Sequence, residues 1–341
     1  MSPNETDRSV FPTIIAEAGV NHNGDLARAS EMVHAAAESG ADLVKFQAFS
    51  AAGLVAGDAA TAAYQRANTG ARDQRALLRG LELGLDDFTT LAETCRAAGV
   101  GFLCTSFDSA MVRALVALGM PWLKVASGEL TNSPALRALG AFDLPVLLST
   151  GMATEAEVAT AIGHLRAGGV TAITLLHCTS LYPAPYDTVN LRAMVAMADR
   201  FDCPVGYSDH TGDDQVTIAA VALGARVIEK HFTLSRALPG PDHAASLEPQ
   251  EFAVMVERLR AVVAALGDGV KRPAPGEAAV AALVRRSWHA ARALPTGTTL
   301  MAADVVLKRP AGGLVPDQSP VGRRLLAEVA ADESITADMI A

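Results

Sequence analysis

VGYSDHTGDDQVTIAAVALGARVIEKH, residues 205–231, contains two short apolar runs that each end on polar side chains, with a stretch of helical character between them. The first run ends at Ser208 and His210, the second at Glu229 and His231. Working outward, the same pattern recurs upstream, in runs of four to six residues ending at Glu17, Lys45, Thr105, Lys124 with Ser127, Ser149 and His177. Eight such strand–helix units are what a closed (β/α)8 TIM barrel requires, and in that fold the chemistry gathers where the strands end. One rim thus receives lysines, histidines, glutamates and hydroxyls together. An enzyme is the reading this favours.

The strands are placed at 13–18, 43–47, 101–105, 122–126, 146–149, 173–177, 205–208 and 226–231, several of them apolar throughout, as a helix-covered parallel sheet demands. Helical periodicity falls at 26–39, 86–98, 155–167 and 249–266. Asp86 and Thr154 are placed as N-caps, and Gly40, Gly99 and Gly168 as C-terminal glycines. The connection from Ser50 to Gly84 is too long for a plain crossover and is expected to lie over the rim as a lid. The barrel domain is assigned to 1–266 and a linker to 267–284, opening on GDGVKRPAPG. A small module occupies 285–341. Within it, Leu294–Leu300 with Asp304 and Val305 echoes Val329–Ile335 with Asp338 and Met339, which predicts a pseudo-symmetric, mostly β unit.

With 341 residues, half of them hydrophobic, the chain can bury a large core. A formal net charge of −9 argues against nucleic acid, whose phosphates need a basic surface. Cys95, Cys104, Cys178 and Cys203 show no metal-type spacing, and a reducing, cytoplasmic compartment is the simplest inference. Residues 1–9 are polar with acids, no apolar run reaches membrane-spanning length, and nothing suggests export.

His210 and His231 end adjacent strands, about 4.8 Å apart, so both imidazoles can reach one ion. Two nitrogens plus open positions for water and substrate oxygens would suit Mn²⁺, or Mg²⁺ less comfortably. The alternative is a pair of hydrogen-bonded rim histidines without metal. Lys45 and Lys124, flanked by Thr105, Ser127 and Ser149, form an oxyanion or phosphate cradle. Rival readings make Lys124 a Schiff-base nucleophile, or let both lysines snorkel to solvent. Glu17, Glu129 and Glu229 could balance charge or move protons, or simply serve in salt bridges. Asp209 and Asp242 could orient a histidine or the substrate. His34, His164 and His289 read as structural, and His22 belongs to a tight Asn-His-Asn-Gly turn.

These motifs resemble one family, the N-acetylneuraminate (sialic acid) synthases with their bacterial legionaminic acid relatives. The resemblance runs from about Thr13 to the C-terminus. It rests on IIAEAGVNHNGD from Ile14, ADLVKFQ from Ala41, YQRANTG from Tyr64, KVASGEL from Lys124 and LLSTGMAT from Leu147. It continues through LLHCTSLYPAP from Leu175, VGYSDHTG from Val205, EKHFTL from Glu229, GPDHAASLEP from Gly240 and KRPAGG from Lys308. The resemblance implies a TIM barrel with a C-terminal antifreeze-like (SAF) domain, and condensation of phosphoenolpyruvate with an open-chain N-acylated aminohexose. Lys45, Thr105, Lys124, Ser127 and Ser149 would then hold phosphoenolpyruvate. His210 and His231 would bind Mn²⁺, with Mg²⁺ or Co²⁺ as substitutes. Gln47, Asn68, Ser180, Tyr182 and Asp242 would contact the sugar, and Glu129 would be the foremost proton-transfer group, with Glu17 and Glu229 nearby. Arg309 would reach the sugar's N-acyl group from the partner chain of a domain-swapped homodimer.

Two departures from the family pattern concern the sugar. Ser180 stands where Asn is common, and Ala311 replaces a glycine after Arg309-Pro310. N-acetylmannosamine is the first expectation, and 2,4-diacetamido-2,4,6-trideoxymannose its alternative. A carbohydrate-binding protein without catalysis is the remote non-enzyme reading.

Overall fold

The structure, a computed structural model, describes residues 11–57 and 59–341. The expectation for residues 1–9 lies outside them. Two compact units divide the chain, residues 1–268 and 269–341.

In the first unit, eight strands close into a parallel barrel in sequence order. They are β1 (Thr13–Gly19), β2 (Leu43–Ala48), β3 (Gly101–Ser106), β4 (Leu123–Val125), β5 (Val146–Ser149), β6 (Ile173–His177), β7 (Val205–Asp209) and β8 (Val227–His231). Closure comes from β8 pairing with β1, which sets Glu17 beside His231, while β1 and β2 set Glu17 beside Lys45. Strand residues alternate between the barrel interior and the helix layer. Glu17, Lys45, Gln47, Glu229 and His231 therefore point inward, while Val44, Phe46 and Ile228 pack outward in a continuous core.

The helices form because apolar residues recur at helical spacing behind a capped start. In Leu26–Glu38, Asp25 accepts from the amides of Ala27 and Arg28, and Ala29, Met32, Val33 and Ala36 make one buried face. Helix Glu155–Ala167 starts on a reciprocal capping box between Thr154 and Glu157. One local expectation is corrected. The helix expected to be capped by Asp86 is Leu85–Ala97, with Gly84 at its N-cap and Asp87 accepting the Gly84 amide at 2.8 Å. Gly168 is the C-cap of helix Glu155–Ala167, as expected, and the left-handed residue is the next one, Gly169, with φ 105°. Gly168 is needed for another reason: a Cβ there would lie 2.2 Å from the Arg137 carbonyl oxygen.

The long connection after β2 is no open loop. It contains helices Ala51–Leu54, Ala63–Thr69 and Gln74–Arg79. Among the described residues, no helix is long and apolar enough to cross a membrane. All four cysteines are free and buried.

In the second unit, β9 (Ser287–Ala290) and β10 (Val305–Lys308) pair antiparallel. Its core joins Ala290, Leu294, Leu300 and Val305 to Leu325, Val329, Ile335 and Ile340, each partner 35 residues further on, plus Leu314. The internal echo is thus a true pseudo-repeat with a constant offset. Short 3₁₀ turns at Ala302–Asp304 and Ala337–Met339 keep that offset, so Asp304 corresponds to Met339, one residue from the expected match at Asp338. Within the stretch expected as a linker, Glu277–Val284 is helical.

Candidate active site

Four charged side chains meet inside the barrel. Lys45 Nζ lies 2.7 Å from Glu17 Oε2 and 3.7 Å from Glu229 Oε2, and Lys124 Nζ lies 3.7 Å from Glu229 Oε1. Glu229 therefore bridges the two lysines. Hydroxyls complete the shell: Lys45 donates to Thr105 Oγ1 at 3.2 Å, Lys124 to Ser149 Oγ at 2.8 Å, and Ser208 to Glu229 Oε1 at 2.8 Å. All four charged groups are at least 94% buried. Charges this deep persist only when paired and hydrogen-bonded.

Their protonation follows from that competition. Burial pushes the Glu229 carboxyl upward, but Lys124 and Lys45 overcome it and hold the group at about 2. Burial lowers the Lys45 ammonium, yet Glu17 and Glu229 keep it above the ordinary lysine value. Lys124 is drawn below that value by burial, with Glu229 opposing. Glu17 is raised, because burial outweighs the pull of Lys45.

The imidazoles of His210 and His231 share this mouth, with ring centroids 5.4 Å apart. His210 Nδ1 sits 2.6 Å from the Thr179 carbonyl oxygen, which can only accept, so the proton is on Nδ1 and Nε2 keeps its lone pair. Ser208 lies 3.3 Å from that Nε2, but its single proton is spent on Glu229. His231 Nδ1 is buried without a hydrogen-bond partner. Burial holds both rings at about 4, aided at His231 by the Lys45 ammonium and at His210 by the adjoining His231 ring, so both are neutral at pH 7. Neutral imidazoles with lone pairs to give are what a divalent cation requires, and the site's donors fit one. Among the described residues they are not joined by further His, Cys, Asp or Glu into a group of three or more. Water or substrate oxygens would have to complete the coordination.

Around this centre, Tyr182 packs on His210 at 4.3 Å and on Tyr64 at 5.0 Å. Helix Ala63–Thr69 therefore covers the histidine side of the mouth, and Asn68 Nδ2 ties it to the Pro241 carbonyl at 2.7 Å. That bond binds the cover to the loop bearing Asp242, whose carboxyl burial lifts to about 7. Gln47 Nε2 donates to Glu17 Oε1 at 2.7 Å. Near Lys124, Ser127 Oγ accepts from the Gly151 amide at 3.0 Å and touches Cys178 Sγ at 3.2 Å.

Glu129 and His177 are held by partners of their own. Glu129 follows β4 on the 3₁₀ turn Ser127–Glu129, and its carboxylate accepts from Asn132 Nδ2 at 2.7 Å. It lines a cavity of about 710 Å³ together with Lys124, Phe107, Arg113 and Phe142, though among the described residues no hydrogen bond or ion pair joins it to the lysine–glutamate cluster. His177 is turned toward the helix layer, its Nε2 2.7 Å from the Val189 oxygen. Arg309 is exposed on the second unit.

Gly151 is the residue that sequence reasoning missed. A Cβ there would lie 2.4 Å from Ser180 Oγ and 2.9 Å from both Cys178 Sγ and Ser127 Oγ, so a side chain would fill the cradle beside Lys124. Its signal was present in Ser149-Thr-Gly151, a glycine just past a strand end.

Compared with known proteins, residues 285–341 match the SAF domain and residues 32–271 the NeuB family. An N,N'-diacetyllegionaminic acid synthase of Legionella pneumophila is 44% identical over 329 residues, covering 94% of this chain and 92% of that protein. Its namesake in Campylobacter jejuni is 44% identical over 305 residues, 88% of this chain and 91% of the other. The solved N-acetylneuraminic acid (sialic acid) synthetase of Leptospira borgpetersenii aligns with a TM-score of 0.71 at 33% identity, covering 80% of this chain and 90% of that one. With a family match over most of the barrel and such identity along nearly the whole length, the chain belongs to the NeuB family.

Proposed function

We propose that this protein is a nonulosonic acid synthase that condenses phosphoenolpyruvate with open-chain 2,4-diacetamido-2,4,6-trideoxymannose, releasing phosphate by C–O cleavage. The observation that carries the reading is the Lys45–Glu229–Lys124 bridge in one mouth with His210 and His231. A trianionic substrate needs converging ammonium groups, and an aldehyde needs polarising. N-acetylmannosamine was the first expectation from sequence. The two 44%-identical relatives, both named as diacetyllegionaminic acid synthases, move the diacetamido sugar ahead of it. The Leptospira structure keeps N-acetylmannosamine as the second reading.

In this reading Lys45 and Lys124 hold the phosphate and carboxylate of phosphoenolpyruvate, with hydroxyls of Thr105, Ser127 and Ser149 filling the remaining positions. A divalent cation, Mn²⁺ before Mg²⁺ or Co²⁺, held by His210 and His231, would supply Lewis-acid polarisation of the sugar aldehyde. The enol carbon attacks the aldehyde carbon, and the aldehyde oxygen takes a proton from Glu17, whose carboxyl burial raises. Glu17 and Glu229 stabilise the cationic C2 that remains. Water adds at C2, returning a proton to Glu17, and the bond from C2 to the phosphate oxygen breaks as the C2 hydroxyl becomes the keto group and passes its proton to the departing phosphate. Lys124 is an electrostatic clamp here and forms no imine. Gln47, Asn68, Ser180 and Tyr182 orient the sugar, and Asp242, protonated in part near neutral pH, can donate to one of its oxygens.

The test combines purified protein, Mn²⁺ and phosphoenolpyruvate carrying ¹⁸O in the C–O–P bridge with a panel of hexosamines. The expected result is labelled phosphate with the diacetamido sugar, lost in EDTA and restored by Mn²⁺. Release with N-acetylmannosamine alone would reverse the sugar assignment, and no release with any sugar would end the enzyme reading. EDTA-resistant turnover trapped by borohydride would point to a Schiff-base aldolase. The same reading includes a domain-swapped homodimer in a cytoplasmic setting, with exposed Arg309 offered to the sugar of a partner chain. Sedimentation should give a dimer, and Arg309→Ala should raise the KM for sugar while sparing that for phosphoenolpyruvate.

A further inference from the structure

Behind the two imidazoles lies a buried ion pair that the chemistry above leaves unused. Ser208-Asp209-His210 and Glu229-Lys230-His231 are tripeptides of one pattern on neighbouring strands, with Ser208 opposite Glu229 and Asp209 opposite Lys230. Alternation sends Ser208 and Glu229 into the mouth and turns Asp209 and Lys230 toward the helix layer. There Lys230 Nζ lies 3.0 Å from Asp209 Oδ2, and both side chains are 0% exposed.

The pair is bonded in turn to the segment just after His210 and to the helix that follows. Lys230 donates to the carbonyls of Thr211 at 2.8 Å and Asp213 at 2.7 Å. Asp209 accepts from the Thr211 amide at 2.8 Å and from Thr217 Oγ1 at 2.6 Å, on helix Gln215–Ala222. The backbone on both sides of His210 is therefore pinned from behind, while its ring is pinned in front by Thr179. Buried ion pairs contribute little net stability, since apolar residues of similar size often do as well. Fixed geometry is the better account of this one.

We propose that Lys230 and Asp209 form a positioning pair that fixes the His210 backbone, and through it the direction of the imidazole relative to His231. The claim deepens the reading of the two histidines as metal ligands and rests on it for one of its two readouts.

Full-length Lys230→Met and Asp209→Asn/Lys230→Met test it. The double variant leaves no lone buried charge, so it is expected to fold where the single one is marginal. In metal-free protein, the ¹⁵N spectrum of the His210 ring should show a single Nδ1–H tautomer for the parent and mixed tautomers for both variants. Mn²⁺ affinity, read from the electron paramagnetic resonance of the free ion, should fall about 10–100-fold, the usual loss for outer-shell partners. The double variant should regain melting temperature without regaining affinity. A purely structural pair would move melting temperature only, and an unchanged tautomer in either folded variant would overturn the proposal. Should the parent bind no Mn²⁺, the metal-centre reading falls, and the tautomer measurement still decides the positioning role.

Discussion

Lys124 on β4 and Glu229 on β8 stand on opposite sides of the barrel, yet their side chains meet with Nζ 3.7 Å from Oε1. The contact spans the interior at the level where the strands end. It joins the hydroxyl cradle on one wall to the imidazoles on the other, because Ser208 carries the Glu229 carboxylate on toward His210.

Lys124→Met should lower kcat/KM for phosphoenolpyruvate by 10²-fold or more, the scale expected on losing a preorganised charge that faces the developing anion. The parent should give no borohydride-stable adduct with substrate. A stable adduct at Lys124 would instead make it a nucleophile.

Gly151→Ala places a methyl group among Ser127, Cys178 and Ser180. The KM for phosphoenolpyruvate should rise about tenfold, equivalent to about 1.4 kcal/mol of binding. Steady-state kinetics with phosphoenolpyruvate varied at saturating sugar reads this directly. An unchanged KM would show that the cradle does not hold that substrate.

Asp242 sets a pH dependence of stability. In the folded protein, burial lifts its carboxyl to about 7 from an ordinary 3.8. Between those values the folded state binds more protons than the unfolded one, so this group makes stability fall as pH rises, by up to about 1.4 kcal/mol per unit. Asp242→Asn should flatten the denaturation midpoint across that window and leave the ligand-free variant more stable than the parent at pH 8. Identical slopes in both proteins would refute the assignment. The variant's KM for sugar should rise.

Glu129→Gln separates the two accounts of proton transfer. If Glu129 transfers the proton, as the resemblance implies, kcat falls about 10²–10⁴-fold with little change in KM for phosphoenolpyruvate. Near-parental kcat would assign the step to Glu17 or Glu229, the carboxylates already in contact with Lys45.

The eight strands were legible because a covered parallel strand has to be a short apolar run, and each run announced its end with a polar residue. Helix caps were less legible. Asp86 and Asp87 offer the same chemistry one residue apart, and only backbone geometry selected Asp87 as the side chain that closes on Gly84. Gly168 and Gly169 pose the same problem: both are glycines, one for steric clearance and one for its φ angle.

For the site, strand parity was readable in principle. It separates inward Glu229 and His231 from outward Lys230, but His177 shows that ending a strand does not by itself mean facing the mouth. Sequence alone determined the barrel, the pseudo-repeat and the family, because these follow from periodicity and ordered local motifs. Tertiary structure decided which charges meet, which imidazole nitrogen bears its proton and where Glu129 points. Those depend on distances across the barrel between residues far apart in the chain, and a hydrogen bond changes its meaning within a few tenths of an ångström.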